Sequence, residues 1–157
     1  MDYPVRKSPR MKCFDYSTPT SYFITICTHE KKCLFGSITQ PNENAQIAKK
    51  AIDQIPVHFP GIKINHSVVM PNHVHLLLTV YFDQIPIGMD FPDITNVIGT
   101  YKAAVSRQIH QTHPDITIWQ RSFHDHVIRT EGAWQKIWKY IDENPYHWDE
   151  DCYHMNL

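Results

Sequence analysis

The sequence predicts an α/β fold: a four-stranded antiparallel sheet with helices on one side and a further helix at the C-terminal end. Three observations predict it. Stretches 21–28 and 62–81 are rich in β-formers, and 43–55 and 94–109 carry apolar residues at helical spacing. A last apolar stripe follows a fourth β-rich stretch at 118–129. The resulting order, β-α-β-β-α-β plus a terminal helix, matches the split-βαβ, ferredoxin-like arrangement.

In chain order, residues 1–20 carry three prolines and basic side chains without an apolar period, and read as an extended arm. The run S-Y-F-I-T-I-C-T is the first strand, followed by a loop ending at Gly36. Ile47, Ala48, Ala51, Ile52 and Ile55 form the stripe of the first helix, with Asn42 or Asn44 as its cap and Pro56 as its end. Residues 62–70 alternate into a second strand and 74–81 make the third. Pro71 lies in the break between them, because it lacks an N–H and disfavours a helical residue before it. Residues 82–93 read as a loop. Ile94, Val97, Ile98, Tyr101, Val105 and Ile109 line the second helix, which breaks before Pro114, with Lys102 and Arg107 off the stripe. Thr130 caps the third helix, whose stripe is Trp134, Ile137, Trp138 and Ile141.

The 157 residues, 42% hydrophobic and 20% charged, suit a single domain with its own core, so residues 1–157 are expected to form one unit. No apolar run approaches the roughly 18 residues that cross a membrane, and the N-terminus has no apolar signal-peptide core. The expected setting is therefore inside the cell, with no membrane partner. Cys13, Cys27, Cys33 and Cys152 contain no C-x-x-C pair and read as incidental thiols. A net charge of −1 argues against a broad duplex-DNA surface. The charge is uneven, however. Arg6, Lys7, Arg10 and Lys12 form a basic arm, and Asp142, Glu143, Asp149, Glu150 and Asp151 an acidic tail.

The chemistry concentrates in V-V-M-P-N-H-V-H-L-L-L-T-V, residues 68–80. In an extended strand His73 and His75 share a face, while Val74, Leu76 and Leu78 take the other. Two imidazoles one pleat apart can reach a single divalent cation. Eleven histidines make a chance H-x-H common, and a second one occurs at His124 and His126. Tyr140 sits on the shoulder of the last helical stripe, and Asn144 lies four residues on, although Pro145 biases Asn144 away from helical geometry. On spacing alone Tyr140 reads as a packing residue beside the tryptophans.

Several blocks together carry a resemblance: R-K-S-P-R-M-K-C-F-D-Y-S leading into Y-F-I-T-I-C-T, then V-V-M-P-N-H-V-H-L-L, I-G-T-Y-K-A-A-V-S, W-Q-R-S-F-H-D-H-V-I-R and Y-I-D-E-N-P. In this order they resemble the single-strand HUH tyrosine transposases and, within them, the REP-associated tyrosine transposases. The resemblance implies that His73 and His75 are the metal-binding pair, Asn144 a third ligand and Tyr140 the nucleophile. It implies Mg²⁺ or Mn²⁺ as cofactor, single-stranded DNA with a hairpin as partner, and a 5′-phosphotyrosine intermediate. Monomeric and homodimeric relatives both exist. Side chains expected at the DNA phosphates are Lys102, Arg107, Arg121 and Arg129, with Arg6, Lys7 and Arg10 of the arm. Trp119 and Phe123 are read as core packing. Alternatives are a replication-initiator-type nickase and a DNA- or RNA-binding domain without catalysis.

Overall fold

The computed structural model describes residues 19–154, so most of the N-terminal arm, with Arg6, Lys7, Arg10 and Cys13, lies outside the described residues. Four strands, β1 (Thr20–Cys27), β2 (Ile62–Met70), β3 (His73–Val80) and β4 (His124–Ile128), form one antiparallel sheet in the order β2-β3-β1-β4. This is the strand order of the ferredoxin-like arrangement, and the fold expected from the sequence is the one observed.

Helices α1 (Glu43–His58) and α2 (Ile94–Ile109) cover one face. Their apolar stripes close over Ile24, Ile26, Val74, Leu76, Leu78 and Val80 to make the main core. Fully burying each such side chain contributes about 1.5–3 kcal/mol. Helix α3 (Glu131–Glu143) lies on the opposite face over a smaller cluster of Leu77, Ile128 and Ile141, with Phe23, Val68, Ala133, Trp134 and Ile137 at its edges. All eight residues of β3 are buried, as a strand sandwiched between two helical layers requires.

Caps follow the sequence signals. Asn42 Oδ1 accepts from Ala45 N–H at the start of α1, Asp93 Oδ1 from Thr95 N–H at α2, and Thr130 Oγ1 from Ala133 N–H at α3.

Four details differ from the sequence expectation. Pro56 does not end α1: the helix runs through it to His58, and Phe59 N–H still bonds Ile55 C=O. A proline in the last turn removes a single donor, so the helix closes around it. The fourth strand is confined to His124–Ile128, because Ser122 at φ 119° turns the chain out of the sheet. Upstream of that turn only a bridge between Thr28 and Trp119 continues the pairing. Asn144 is helical (φ −55°, ψ −41°) despite Pro145, which occupies the first turn of a following 3₁₀ segment, Asn144–Glu150. There its missing N–H costs nothing.

The fourth detail is a bulge. The β2–β3 pairing slips between Ile64 and His66, with Asn65 as the extra residue. Ile62 and Ile64 oppose Val80 and Leu78 on the main-core face, whereas His66, Val68 and Met70 oppose Leu77, His75 and His73 on the α3 face. A single inserted residue thus sends His66 under α3, where it stacks on Trp138 at a centroid distance of 4.3 Å.

Candidate metal centre and nucleophile

Met70 pairs with His73 across a turn holding Pro71 and Asn72, so β3 starts at the first histidine of the H-x-H. The pleat puts His73 and His75 on the α3 face, and their Nε2 atoms stand 3.1 Å apart. The other ring nitrogens are held from behind. Asn72 Nδ2 donates to the carbonyls of Lys31 and Tyr153, at 3.2 and 2.7 Å. That leaves Asn72 Oδ1 to accept from His73 Nδ1–H at 2.8 Å. Proton accounting therefore makes His73 Nε2 a lone pair. His75 Nδ1 lies 2.9 Å from Thr25 Oγ1, which can accept its proton and free the second Nε2 in the same way. Burial pushes His73 down to about 4, against the opposing pull of Asp151, and pushes His75 well below the usual histidine range. Both imidazoles are neutral near pH 7, the form that binds metals.

Two oxygen donors come from the C-terminal segment. The Asp151 side chain is fully buried, with Oδ2 3.8 Å from His73 Nε2. Asn144 Nδ2 donates to that Oδ2 at 2.7 Å, and Tyr153 N–H donates to Oδ1 at 2.8 Å. Asn144 Oδ1 is buried without a hydrogen-bond partner among the described residues. An orphaned buried carbonyl costs about 1–3 kcal/mol. His73, His75 and Asp151 form a group that could hold a metal ion, their donor atoms all within 4.8 Å of one another. Two facing lone pairs, one buried carboxylate and one unpaired amide oxygen are the surroundings a divalent cation would satisfy. Two imidazoles with oxygen donors suit a divalent metal cation.

Tyr140 reaches the same place from α3. Its ring sits 5.4 Å from that of His75 and edge-on to Phe23 at 6.0 Å, with 42% of the residue exposed. Burial, then the charges of Asp151, Cys152 and Tyr153, push its phenol up to about 12, while the nearby Asn144 amide pulls the other way. Tyr153 roofs the pair of histidines, 4.7 Å from His73, with Lys31 Nζ 5.5 Å from its own ring centre.

The remaining sequence candidates divide. Arg121 and Arg129 are exposed at the two ends of the β4 segment. Arg107 is exposed on α2 and lines a cavity of about 510 Å³ between α1 and α2, on the face away from the histidines. Lys102 is committed inside the fold: its Nζ donates to the carbonyls of Gln120 and Ser122, at 2.8 and 2.6 Å, anchoring the turn before β4. Trp119 and Phe123 pack against the main core, as the sequence suggested. Asp151 and Tyr153 were not singled out by sequence reasoning, since Asp151 read as part of a solvated acidic tail. No helix among the described residues is long and apolar enough to cross a membrane.

Comparisons with known proteins give the fold and the family. A Haemophilus influenzae protein of uncharacterised function is 32% identical over 164 aligned residues, covering 93% of this chain and 91% of that protein. Among solved structures, a REP-associated tyrosine transposase bound to a REP hairpin superposes with a TM-score of 0.56 at 23% identity, covering 87% of this chain and 73% of that one. A candidate transposase from Deinococcus radiodurans R1 superposes with a TM-score of 0.55 at 20% identity, covering 85% and 97% of the two chains. These likenesses establish a shared fold. Residues 18–144 match the family model described as Transposase IS200 like, and the chain belongs to that family.

Proposed function

We propose that the protein cleaves and rejoins single-stranded, hairpin-bearing DNA through a covalent link to Tyr140, using Mg²⁺ or Mn²⁺ held by His73 and His75 with oxygen donors from Asn144 and Asp151. The observation that carries this reading is the convergence of two back-bonded imidazoles with a tyrosine ring 5.4 Å from one of them. Family membership supports the reaction class, and the hairpin bound to the REP-associated relative supports the partner.

When bound, the cation would supply Lewis-acid stabilisation of the charge that builds on the phosphate. The chain's own residues do the rest. Tyr140 Oη forms a bond to phosphorus while the bond to the 3′ oxygen breaks. The phenol proton is given up to water and the departing 3′ oxygen gains one, so the products are a 5′-phosphotyrosine and a free 3′ hydroxyl. Rejoining reverses these bonds. Asn144, one turn after Tyr140, is placed to orient the phenol, and Phe23 backs its ring. Asn72 and Thr25 keep the two imidazoles pointed inward.

The test is incubation with end-labelled hairpin DNA from the gene's own flanks, with Mn²⁺ or with chelator. A denaturation-resistant adduct is expected only with the metal. It should vanish in Tyr140→Phe, whose hairpin affinity stays within about threefold of the parent because the ring is kept. Hairpin binding with no adduct would instead identify a non-catalytic DNA-binding protein.

A further inference from the structure

The second H-x-H, His124-Asp125-His126, belongs to no feature of the site described so far, yet the sheet register brings it there. His124 pairs with Thr25 and His126 with Phe23, while Thr25 pairs with His75 and Phe23 with Leu77. Directly paired residues share a face with Cβ atoms about 4.5–5.5 Å apart. Both β4 histidines therefore project on the His75 side, and Asp125, opposite Ile24, projects on the other. Helix α3 packs over β2 and β3, and the cluster beneath it takes in Ile128 at the far end of β4. The exposed β4 histidines thus share the sheet face of Phe23 and Thr25, and Phe23 is the residue against which the Tyr140 ring packs.

Both imidazoles are exposed, and no hydrogen bond or ion pair to another described residue holds either one. Arg121 and Arg129 bracket them along the same edge, also exposed. Of the acids on this side of the sheet, Asp142 pairs with His66 at 3.2 Å and Asp151 is buried with Asn144, while Asp125 projects on the other face. Free N–H donors flanked by guanidiniums, on the sheet face that carries the tyrosine, complement a chain of phosphates.

We propose that the β4 edge is a rail for the single strand being cut, on which His126 donates a hydrogen bond to the scissile phosphate and fixes it in line with Tyr140, while His124 holds the neighbouring phosphate. The proposal rests on the DNA-cleavage reading above. His126 acts as a phosphate ligand opposite the nucleophile, whereas the arginines contribute field and affinity.

The experiment compares the parent with His126→Ala, His126→Gln, His124→Ala and Asp125→Ala. It measures single-turnover adduct formation at saturating hairpin DNA with Mn²⁺, alongside DNA affinity by fluorescence anisotropy in the Tyr140→Phe background. His126→Ala should slow adduct formation by about tenfold or more, as loss of one oxyanion donor does, and change affinity by less than about threefold. His126→Gln, which keeps an N–H donor, should recover part of the rate. His124→Ala should weaken affinity more than rate, and Asp125→Ala should change neither. A parental rate and affinity in folded His126→Ala would overturn the proposal and leave the cleavage reading standing. Failure of the parent to form any adduct would overturn both. Because the histidines are exposed on an edge strand, all four variants are expected to fold, which circular dichroism verifies.

Discussion

Asp151 gives the most direct handle on the metal centre. Its side chain is fully buried 3.8 Å from His73 Nε2, and its carboxylate receives two hydrogen bonds and, among the described residues, no lysine or arginine. Asp151→Asn keeps the shape and removes the charge. Without metal the change relieves an unneutralised buried anion, so stability should hold or rise. With metal the variant loses an anionic ligand, and an affinity loss of about 100-fold is the expected scale. The consequence can be worked out as a melting temperature. At a Mn²⁺ concentration 100 times the parental Kd, binding stabilises the native state by about 2.7 kcal/mol, whereas a 100-fold weaker site gains only about 0.4 kcal/mol. For a chain of this size each kcal/mol shifts Tm by about 2–4 °C, so the parent should gain about 5–11 °C and the variant about 1 °C. Differential scanning calorimetry across a Mn²⁺ series, with Ca²⁺ and chelator as references, reads this directly. Equal Mn²⁺ shifts in parent and variant would refute the placement of Asp151 in the ligand set.

Two further outcomes follow from buried hydrogen bonds. Thr25→Val keeps the volume of a residue only 4% exposed but removes the hydroxyl behind His75 Nδ1, so Mn²⁺ affinity measured by calorimetric titration should fall by about 10–100-fold. Tyr101 is buried with its hydroxyl donating to Ala48 C=O, and burial raises its phenol well above the ordinary tyrosine value. The unfolded chain then loses this proton first as pH rises through about 10, so stability is full below that value and falls above it by up to about 1.4 kcal/mol per pH unit. Urea midpoints between pH 8 and 11 should fall less steeply in Tyr101→Phe than in the parent, and parallel curves would contradict the assignment.

The parts of the fold legible in the sequence are those set by local pattern. The alternation at 62–70, the stripe from Ile94 to Ile109 and the cap at Thr130 each became the element expected. So did the shared face of His73 and His75, because a period of two needs only that the segment be a strand. What escaped depends on distant partners. The Asn65 bulge has no local signature, since only pairing with β3 reveals that one residue is extra. Lys102 read as a phosphate contact because the carbonyls it holds arrive from 18 and 20 residues away. Asp151 read as tail for the same reason: its burial is created by His73, Asn144 and Tyr153 meeting from separate segments.

The site is thus assembled from a rigid half and a lightly held half. The histidines stand on a strand buried along its whole length, with each ring bonded from behind. The proposed nucleophile rides on a helix with a single fully buried side chain, Ile141, and the two proposed oxygen donors lie just beyond its end. Helix α3 and the segment after it can therefore shift as a unit at far lower cost than β3 can, because little apolar surface is uncovered. The proposed cleavage and rejoining would need the metal side of the site to stay fixed while the tyrosine, carrying its strand, exchanges one 3′ hydroxyl for another. The distribution of burial between β3 and α3 suits that division of labour.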